Sequence, residues 1–439
     1  MRRIALFSMS TVLAFAQGTL PLSMKRAVEV ALAPEGSPRV ELAEESIRQA
    51  QTHVSQARAA FLPDIEGSAS DQNQTLNLQS YGLTIESPIP GFSFPSFVGP
   101  FSGFDARVSA QQSVFDFSSI RRFQSSKVGV EAAKADAANT RDQVSDTVAR
   151  AYLLCLRADA KLETERANVE LSDALLKLAQ RQKVAGTGLT IEVTRAQVQL
   201  ANDRQQLIVA ENDRRRAVLG LLRAMGLNLD AHIEFTDKLV YKPVDVGTVE
   251  AALEKAHSSR QELKAQAKRE EVARLNYGSV KAESLPSVSA FGNYGSTGTE
   301  IHGSLPTRSI GISMRVPIFD GGRRGARRAE TLSQLRQEQV HTRDIQQQVD
   351  LDVRLALDSI RSAASQVETA REGLALAENE LAQARRRYEG GVANSIEVTD
   401  AQTRLDRARD NQIAALFSYN LARLELATAT GSIAEYVNQ

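Results

Sequence analysis

Five histidines and one cysteine are the residues of this 439-residue chain that most readily do chemistry. His53, His232, His257, His302 and His341 are scattered, and none forms a metal-ligand spacing. Cys155 stands alone, so it can form no internal disulfide and says little about redox compartment. The stretch GTGLTI, Gly186 to Ile191, lacks the strand–turn–helix setting that a dinucleotide loop needs. No Gly-x-Ser-x-Gly elbow appears. The sequence gives no reason to expect an enzyme, a metal centre or a cofactor.

Composition narrows the class further. Aromatics make up 5 % of the residues, Trp is absent, and the formal net charge is zero. The chain is too polar for a bundle of membrane helices. Without a basic stripe it has no electrostatic footprint for nucleic acid. The N-terminus reads MRR, then the apolar run IALFSMSTVLAFA, with Ala14-Phe15-Ala16 as a small-residue cleavage site before Gln17. This pattern predicts a secretory signal peptide over residues 1–16.

The elements that position the remaining motifs emerge from a repeat. TIEVTRAQVQL, Thr190 to Leu200, returns as SIEVTDAQTRL, Ser395 to Leu405, an offset of 205 positions (396 − 191). At the same offset Gly186 pairs with Gly391, Ala196-Gln197 with Ala401-Gln402, and Gly226 with Gly431. Upstream, VFD (Val114 to Asp116) recurs as IFD (Ile318 to Asp320), and FLPDI (Phe61 to Ile65) echoes SLPSV (Ser284 to Val288). A period this long implies two copies of one large unit rather than a solenoid. The boundaries read as a first copy over 17–226, an irregular segment over 227–258, a second copy over 249–431 and a tail over 432–439.

Each copy has the order helix, strand, strand, long helix, tight turn, helix. Helical patterns span Leu22 to Ala60 and Val249 to Ala282 before the strands, and Ser118 to Val184 and Arg323 to Glu389 after them. The second long pattern carries an apolar stripe from Val349 through Val353, Ala356 and Ile360 to Leu381, Ala384 and Tyr388. Its spacings alternate between three and four, the period of a coiled coil. In the first copy the stripe runs through Val144, Val148, Ala151, Cys155, Ala158 and Leu162, so Cys155 reads as a small buried hydrophobe. The helices after the turns are about half as long. The turns fall at 185–189 and 390–394, where glycine supplies positive φ after a helix end. Thr190 and Ser395 sit where N-caps belong, and Glu192 and Glu397 fall in the first helical turn, which the helix dipole favours.

Four short segments, about 63–72, 105–114, 287–295 and 308–318, alternate apolar and polar residues, as a barrel strand does. Ile310, Ile312, Met314, Val316 and Ile318 share one face of the last. A membrane tolerates no open sheet edge, and the smallest barrels need eight strands, so more than one chain must contribute. The insertion from Ser87 to Phe104 mixes Phe with Pro, Gly and Ser and reads as a loop rather than a long strand.

On these residues the chain resembles the TolC family, the outer-membrane efflux proteins of Gram-negative bacteria. LSMKRAVEVAL opens the first copy, SLPSVSAFGNYG and RVPIFDGGRRGARRAE mark the second, and RRYEGGVANSIEVTDAQTRL matches the family's most recognisable hairpin. The resemblance implies a mainly α fold with a small β part and an internal two-fold repeat. Three chains would form a barrel of twelve strands, four per chain, in the outer membrane, continued by long antiparallel coiled-coil helices as a periplasmic α-barrel. Such a homotrimer is a passive exit duct that meets a periplasmic adaptor and an inner-membrane transporter at its far tip. Gly186, Gly188, Leu189, Gly390, Gly391, Val392 and Ala393 would touch the adaptor, and 227–258 would belong to an equatorial belt. Glu397, Asp400, Tyr388, Glu192 and Arg195 match the entrance. Three copies of Glu397 and Asp400 would ring it with carboxylates able to attract cations. One departure stands out. Where some relatives carry an arginine that pairs with an acid on the first hairpin, here Glu192, this chain has Ala393, so Arg195 or Arg387 would have to replace that link.

A periplasmic adaptor also uses long helical hairpins and is the alternative reading. An adaptor should carry a compact β domain between the hairpin halves, and no such cluster of strands is visible.

Overall fold

The computed structural model describes residues 20–34, 36–82, 96–245 and 247–438. The expected signal segment and residues 83–95, which include the first half of the Phe-rich insertion, lie outside them. The described chain is mainly helical with a small β part. Its contacts divide it into two units. One comprises Met1–Ser46, Ala135–Lys264 and Arg343–Gln439, the other Ile47–Lys134 and Ala265–Thr342.

Twelve elements account for most of the chain. Helices α1 (Met24–Leu32) and α2 (Pro38–Ala59) precede strand β2 (Asp64–Asn77) and strand β3 (Phe97–Phe115). Helix α3 (Phe117–Val184) then runs for 68 residues, and α4 (Thr190–Met225) returns for 36. Helices α5 (Val249–Ser259) and α6 (Gln261–Ala282) lead to strands β5 (Ser287–Gly298) and β6 (Leu305–Arg315). Helix α7 (Arg323–Glu389) has 67 residues and α8 (Ser395–Ala429) has 35. At 1.5 Å per residue α3 and α7 are each roughly 100 Å long.

In the second unit β2, β3, β5 and β6 form one antiparallel sheet in that order, with β2 and β6 at its edges. The register keeps the two faces distinct. Ile65 pairs with Ala110, Ala110 with Gly292 and Gly292 with Ile310, while Ser109 pairs with Asn293 and Asn293 with Ser309. A slip of one residue in any strand would mix these rows. On the apolar face Ile310 and Ile312 are 85 % and 77 % exposed. The helical part of this unit is tied mainly through polar contacts: Ser125 Oγ to Asn276 Oδ1 at 2.8 Å, Lys268 to Glu131 at 2.6 Å, and Gln266 Nε2 to Glu338 Oε2 at 2.8 Å.

In the first unit the coiled-coil stripe is the core. Val349, Val353, Ala356, Ile360, Ala363 and Val367 of α7 are all buried, with α8 residues Ala415, Tyr419 and Ala422 packed beside the last three. Val144, Val148 and Cys155 of α3 are buried with Leu221, Leu222 and Met225 of α4. Burial pushes the Cys155 thiol up to about 12, so it packs as a hydrophobe.

Several expectations need correction. The second strand begins at Phe97, not near 105, so part of the Phe-rich insertion is strand. Gly99 and Pro100 are accommodated there because the register shifts opposite them, between Gln74 and Leu76. The helical patterns before the strands are each two helices. The first breaks between α1 and α2, the second at Arg260. Gly226 and Gly431 explain where: both have positive φ, and a Cβ would lie 2.4 Å from the Gly36 carbonyl oxygen on the first and 3.0 Å from the Arg260 nitrogen on the second. Each close approach fills the gap left by a break. Two three-residue strands were also missed. β1 (Leu20–Leu22) pairs in parallel with β4 (Ile233–Phe235), which orders part of the irregular segment. The Tyr152 hydroxyl lies 2.9 Å from the Leu22 carbonyl and 2.8 Å from the Asp237 carboxylate, beside this small sheet. The tail contains a short helix, α9 (Ile433–Val437), whose Ile433 and Val437 join the same core.

Candidate functional site

The two hairpin turns, both in the first unit, are built alike. After α3, Gly186 has φ 75°, its N–H donates to Lys183 O (3.1 Å), and Thr187 N–H donates to Gln182 O (3.0 Å). After α7, Gly391 has φ 72°, its N–H donates to Tyr388 O (3.1 Å), and Val392 N–H donates to Arg387 O (2.9 Å). Both are Schellman motifs, which satisfy carbonyls that a helix end would otherwise leave bare. Gly188 is required for space: a Cβ there would lie 2.9 Å from the Gln182 Cβ. Gly390 faces no such crowding, its nearest neighbour being the Arg386 carbonyl at 3.4 Å. Leu189 and Val392 are exposed at the turns, and Ala393 is half-buried.

The caps fall one residue earlier than Thr190 and Ser395. Asn394 is the N-cap of α8, its side chain accepting from Ile396 and Glu397 N–H at 3.1 and 3.3 Å. Leu189 holds that place before α4 and has no side-chain acceptor to offer. Glu192 compensates by reaching back to accept from the Leu189 N–H at 3.1 Å. Thr190 and Ser395 are instead the first helical residues, because an N-cap needs its backbone outside the helix.

Glu192, Arg195 and Tyr388 come together around one small cavity of about 30 Å³, with Ser395 and Gln402 on the same lining. Tyr388 is buried, 6 % exposed, and neither its hydroxyl nor the Ser395 hydroxyl has a protein partner. Burial, with the Glu192 charge beside it, holds the Tyr388 phenol above its ordinary range. Asp400 does not join them. It sits with Arg195 on a separate groove between α4 and α8, where its carboxylate pairs with Arg404 at 2.6 Å. Arg404 also reaches Glu380 at 2.6 Å. Glu397 pairs with Arg387 at 3.2 Å. Glu397 and Asp400 thus each have an arginine partner in their own chain. Arg387 is occupied with Glu397, so it does not take the role of the missing turn arginine toward Glu192.

A polar cluster farther along the hairpins was not visible in sequence. The Ser172 hydroxyl donates to the buried Asp203 carboxylate, which also accepts from Gln199 Nε2 at 2.9 Å, and Gln402 Nε2 donates to Ser172 Oγ at 2.7 Å. Asp406 lies beside Asp203 and Glu165, and one of its oxygens is buried without a hydrogen-bond partner. Burial, then the Asp203 and Glu165 charges, push the Asp406 carboxyl up to about 6. Burial likewise raises Asp203. The one available clue was the Ala-Gln dipeptide common to both copies: Gln402 is buried while its counterpart Gln197 is exposed. Among the described residues no group of three His, Cys, Asp or Glu is placed to hold a metal ion, and no helix is long and apolar enough to cross a membrane.

An antiparallel sheet with an exposed apolar face, in a chain that also forms very long helical hairpins, is the combination found in outer-membrane channels with periplasmic helices. The family model for the outer membrane efflux protein matches residues 30–227 and 252–432, and the chain belongs to that family. It is 24 % identical over 344 residues to the outer membrane protein TolC of Vibrio cholerae, covering 75 % of this chain and 77 % of that one. It is 24 % identical over 407 residues to the pyoverdine export outer membrane protein OpmQ of Pseudomonas putida, covering 89 % and 80 %. Among solved structures, the CmeC outer membrane channel of Campylobacter jejuni superposes with a TM-score of 0.79 at 15 % identity over 94 % of this chain and 88 % of that one. The outer membrane protein VceC of Vibrio cholerae gives 0.76 at 20 % identity over 93 % and 96 %.

Proposed function

We propose that this chain is one third of a passive exit duct, a homotrimer that carries cargo from an inner-membrane pump and a periplasmic adaptor across the periplasm and outer membrane. The observation that carries the reading is the four-stranded sheet, apolar and exposed on one face, whose two edge strands have no further partner among the described residues. A bilayer accepts such a sheet only when its edges are closed, and four strands cannot close on themselves. Three copies supply twelve strands, a size compatible with a lumen. The two separate segments matched by the family model support an internal duplication, in which each half lends one strand pair and one hairpin.

The hairpin turns are the proposed periplasmic tip. Leu189 and Val392 would dock on the adaptor, held at fixed geometry by Gly186, Gly188, Gly390, Gly391 and Ala393. The entrance would be closed by the cavity around Tyr388, Glu192 and Arg195, and by the Arg387–Glu397 and Arg404–Asp400 pairs. Because those carboxylates are internally paired, a ring of them would attract cations only when the arginines swing away. No residue does covalent work, so the energy of transport comes from the partner pump.

Reconstitution in planar bilayers tests the reading. Purified protein should form channels, and Arg387→Ala should lengthen open times by freeing Glu397. A trimer without conductance under any opening condition would refute the duct. A cysteine in place of Ala393 should crosslink to an adaptor.

A further inference from the structure

We propose that the start of α7 is a docking surface for the headgroups of anionic phospholipids at the periplasmic rim of the sheet. The inference rests on the reading of that sheet as bilayer-spanning. The apolar row Ile310, Ile312 and Met314 does not end with β6. It runs on through Val316 to Ile318 and Phe319, which are 92 % and 88 % exposed. Asp320 and two glycines follow, and then four arginines fall within six residues: Arg323, Arg324, Arg327 and Arg328. The helix start has no acid in its first turn. Positive charge at a helix N-terminus opposes the dipole, a local cost that Asp320 offsets in part by accepting from the Arg324 N–H at 3.1 Å.

The side chains divide by role. Arg324 is structural: its Nε donates to Asp320 at 2.8 Å and its Nη1 to the Pro317 carbonyl at 3.1 Å, clamping the link between β6 and α7. Arg327 pairs with Glu283 at 2.8 Å. Arg328 has only the Tyr277 hydroxyl at 3.4 Å, and the Arg323 side chain has no hydrogen bond or ion pair among the described residues. Two guanidinium groups without a carboxylate therefore lie directly beyond an apolar row continuous with the lipid-facing one. Apolar side chains in the acyl region and arginines at the phosphate level are the arrangement a membrane–water interface selects. Charge and continuity both favour a lipid over a soluble anion.

The test uses the intact assembly, delipidated in detergent and titrated with phosphatidylglycerol or phosphatidylcholine, with bound lipid counted by native mass spectrometry. Each arginine near an anionic surface is worth about fivefold in binding. Arg323→Gln should lower phosphatidylglycerol retention about fivefold, and Arg323→Gln with Arg328→Gln roughly 25-fold, while phosphatidylcholine is unaffected. Neither change breaks an ion pair, so both variants should fold and conduct. Equal retention by the variants overturns the proposal, as does displacement by millimolar inorganic phosphate, which would mark an unspecific anion site. Variants that dissociate into single chains with lipid retention intact would also overturn it, placing these arginines against a neighbouring copy instead. Channel conductance read in the same samples separates failure of this surface from failure of the duct.

Discussion

Replacing Asp406 by Asn should make the protein more stable at neutral pH and leave it unchanged in acid. Asp406 faces Asp203 from α4 and Glu165 from α3, with Asp410 on its own helix, and the nearest cation acting on it is Arg409. Arg409 is partly engaged by the Asn168 side-chain oxygen at 2.9 Å, and Lys161 serves Glu165 and Asp410. The Asp406 carboxyl rises from 3.8 to about 6. A carboxyl that binds its proton more tightly folded than unfolded makes stability fall as pH rises from about 4 to about 6, and stay low above that. The full shift corresponds to about 3 kcal/mol, which the partial exposure of Asp406 reduces to about 1–2 kcal/mol. Asn keeps the shape and removes the charge. Thermal unfolding followed by circular dichroism in detergent should show a midpoint a few degrees higher for Asp406→Asn at about pH 7.5 and no difference at about pH 4. In a Glu165→Gln background the gain should shrink, because the two charges interact. A variant that stabilises equally at both pH values, or at neither, refutes the account of three carboxylates sharing one interior.

Other perturbations follow from geometry. Gly391→Ala forces a side chain into the left-handed region and should cost about 1 kcal/mol, and Gly188→Ala should cost more because its Cβ meets the Gln182 side chain; adaptor crosslinking through position 393 should fall in both. Ile310→Arg on the apolar face should cost about 2–4 kcal/mol of membrane stability, whereas Ser309→Arg on the opposite face should be tolerated; heat-resistant oligomer on a gel reports both. Tyr388→Phe removes a buried hydroxyl with no protein partner and should leave the unfolding midpoint nearly unchanged, unlike Tyr388→Ala, which opens a cavity costing about 3–5 kcal/mol. Cys155 should resist alkylation by iodoacetamide in the native state and react at once after denaturation.

Periodicity made the long elements legible because burial there depends on position alone. The stripe from Val349 to Tyr388 is core, and most of its members are small enough for neighbouring helices to approach. The strands were legible as alternation, and the observed register preserves the rows that alternation implied. Failures occurred where a partner far along the chain decides the outcome. Arg260 ends a helix because Gly431 crosses there, and no local signal marks it. Phe97 to Phe104 become strand because Gln74 and Leu76 opposite absorb the irregularity. At the turns the glycines declared themselves, yet the ion pairs did not: Glu192 and Glu397 occupy equivalent places in sequence, but one caps a backbone N–H and the other meets Arg387. Asp203 and Asp406 were invisible because a polar residue on a helix is normally solvated, and only the three-dimensional meeting of α3, α4 and α8 removes the water.

Two borders of the sheet, along β2 and β6, find no mate among the described residues. In the proposed duct, a single copy would therefore carry raw seams for siblings to mend, and its maturation should depend on how many are made at once. Inheritance of a defect changes accordingly. A subunit spoiled along one seam would still recruit sound siblings through the other, so its presence should poison the mixed population rather than be masked by it.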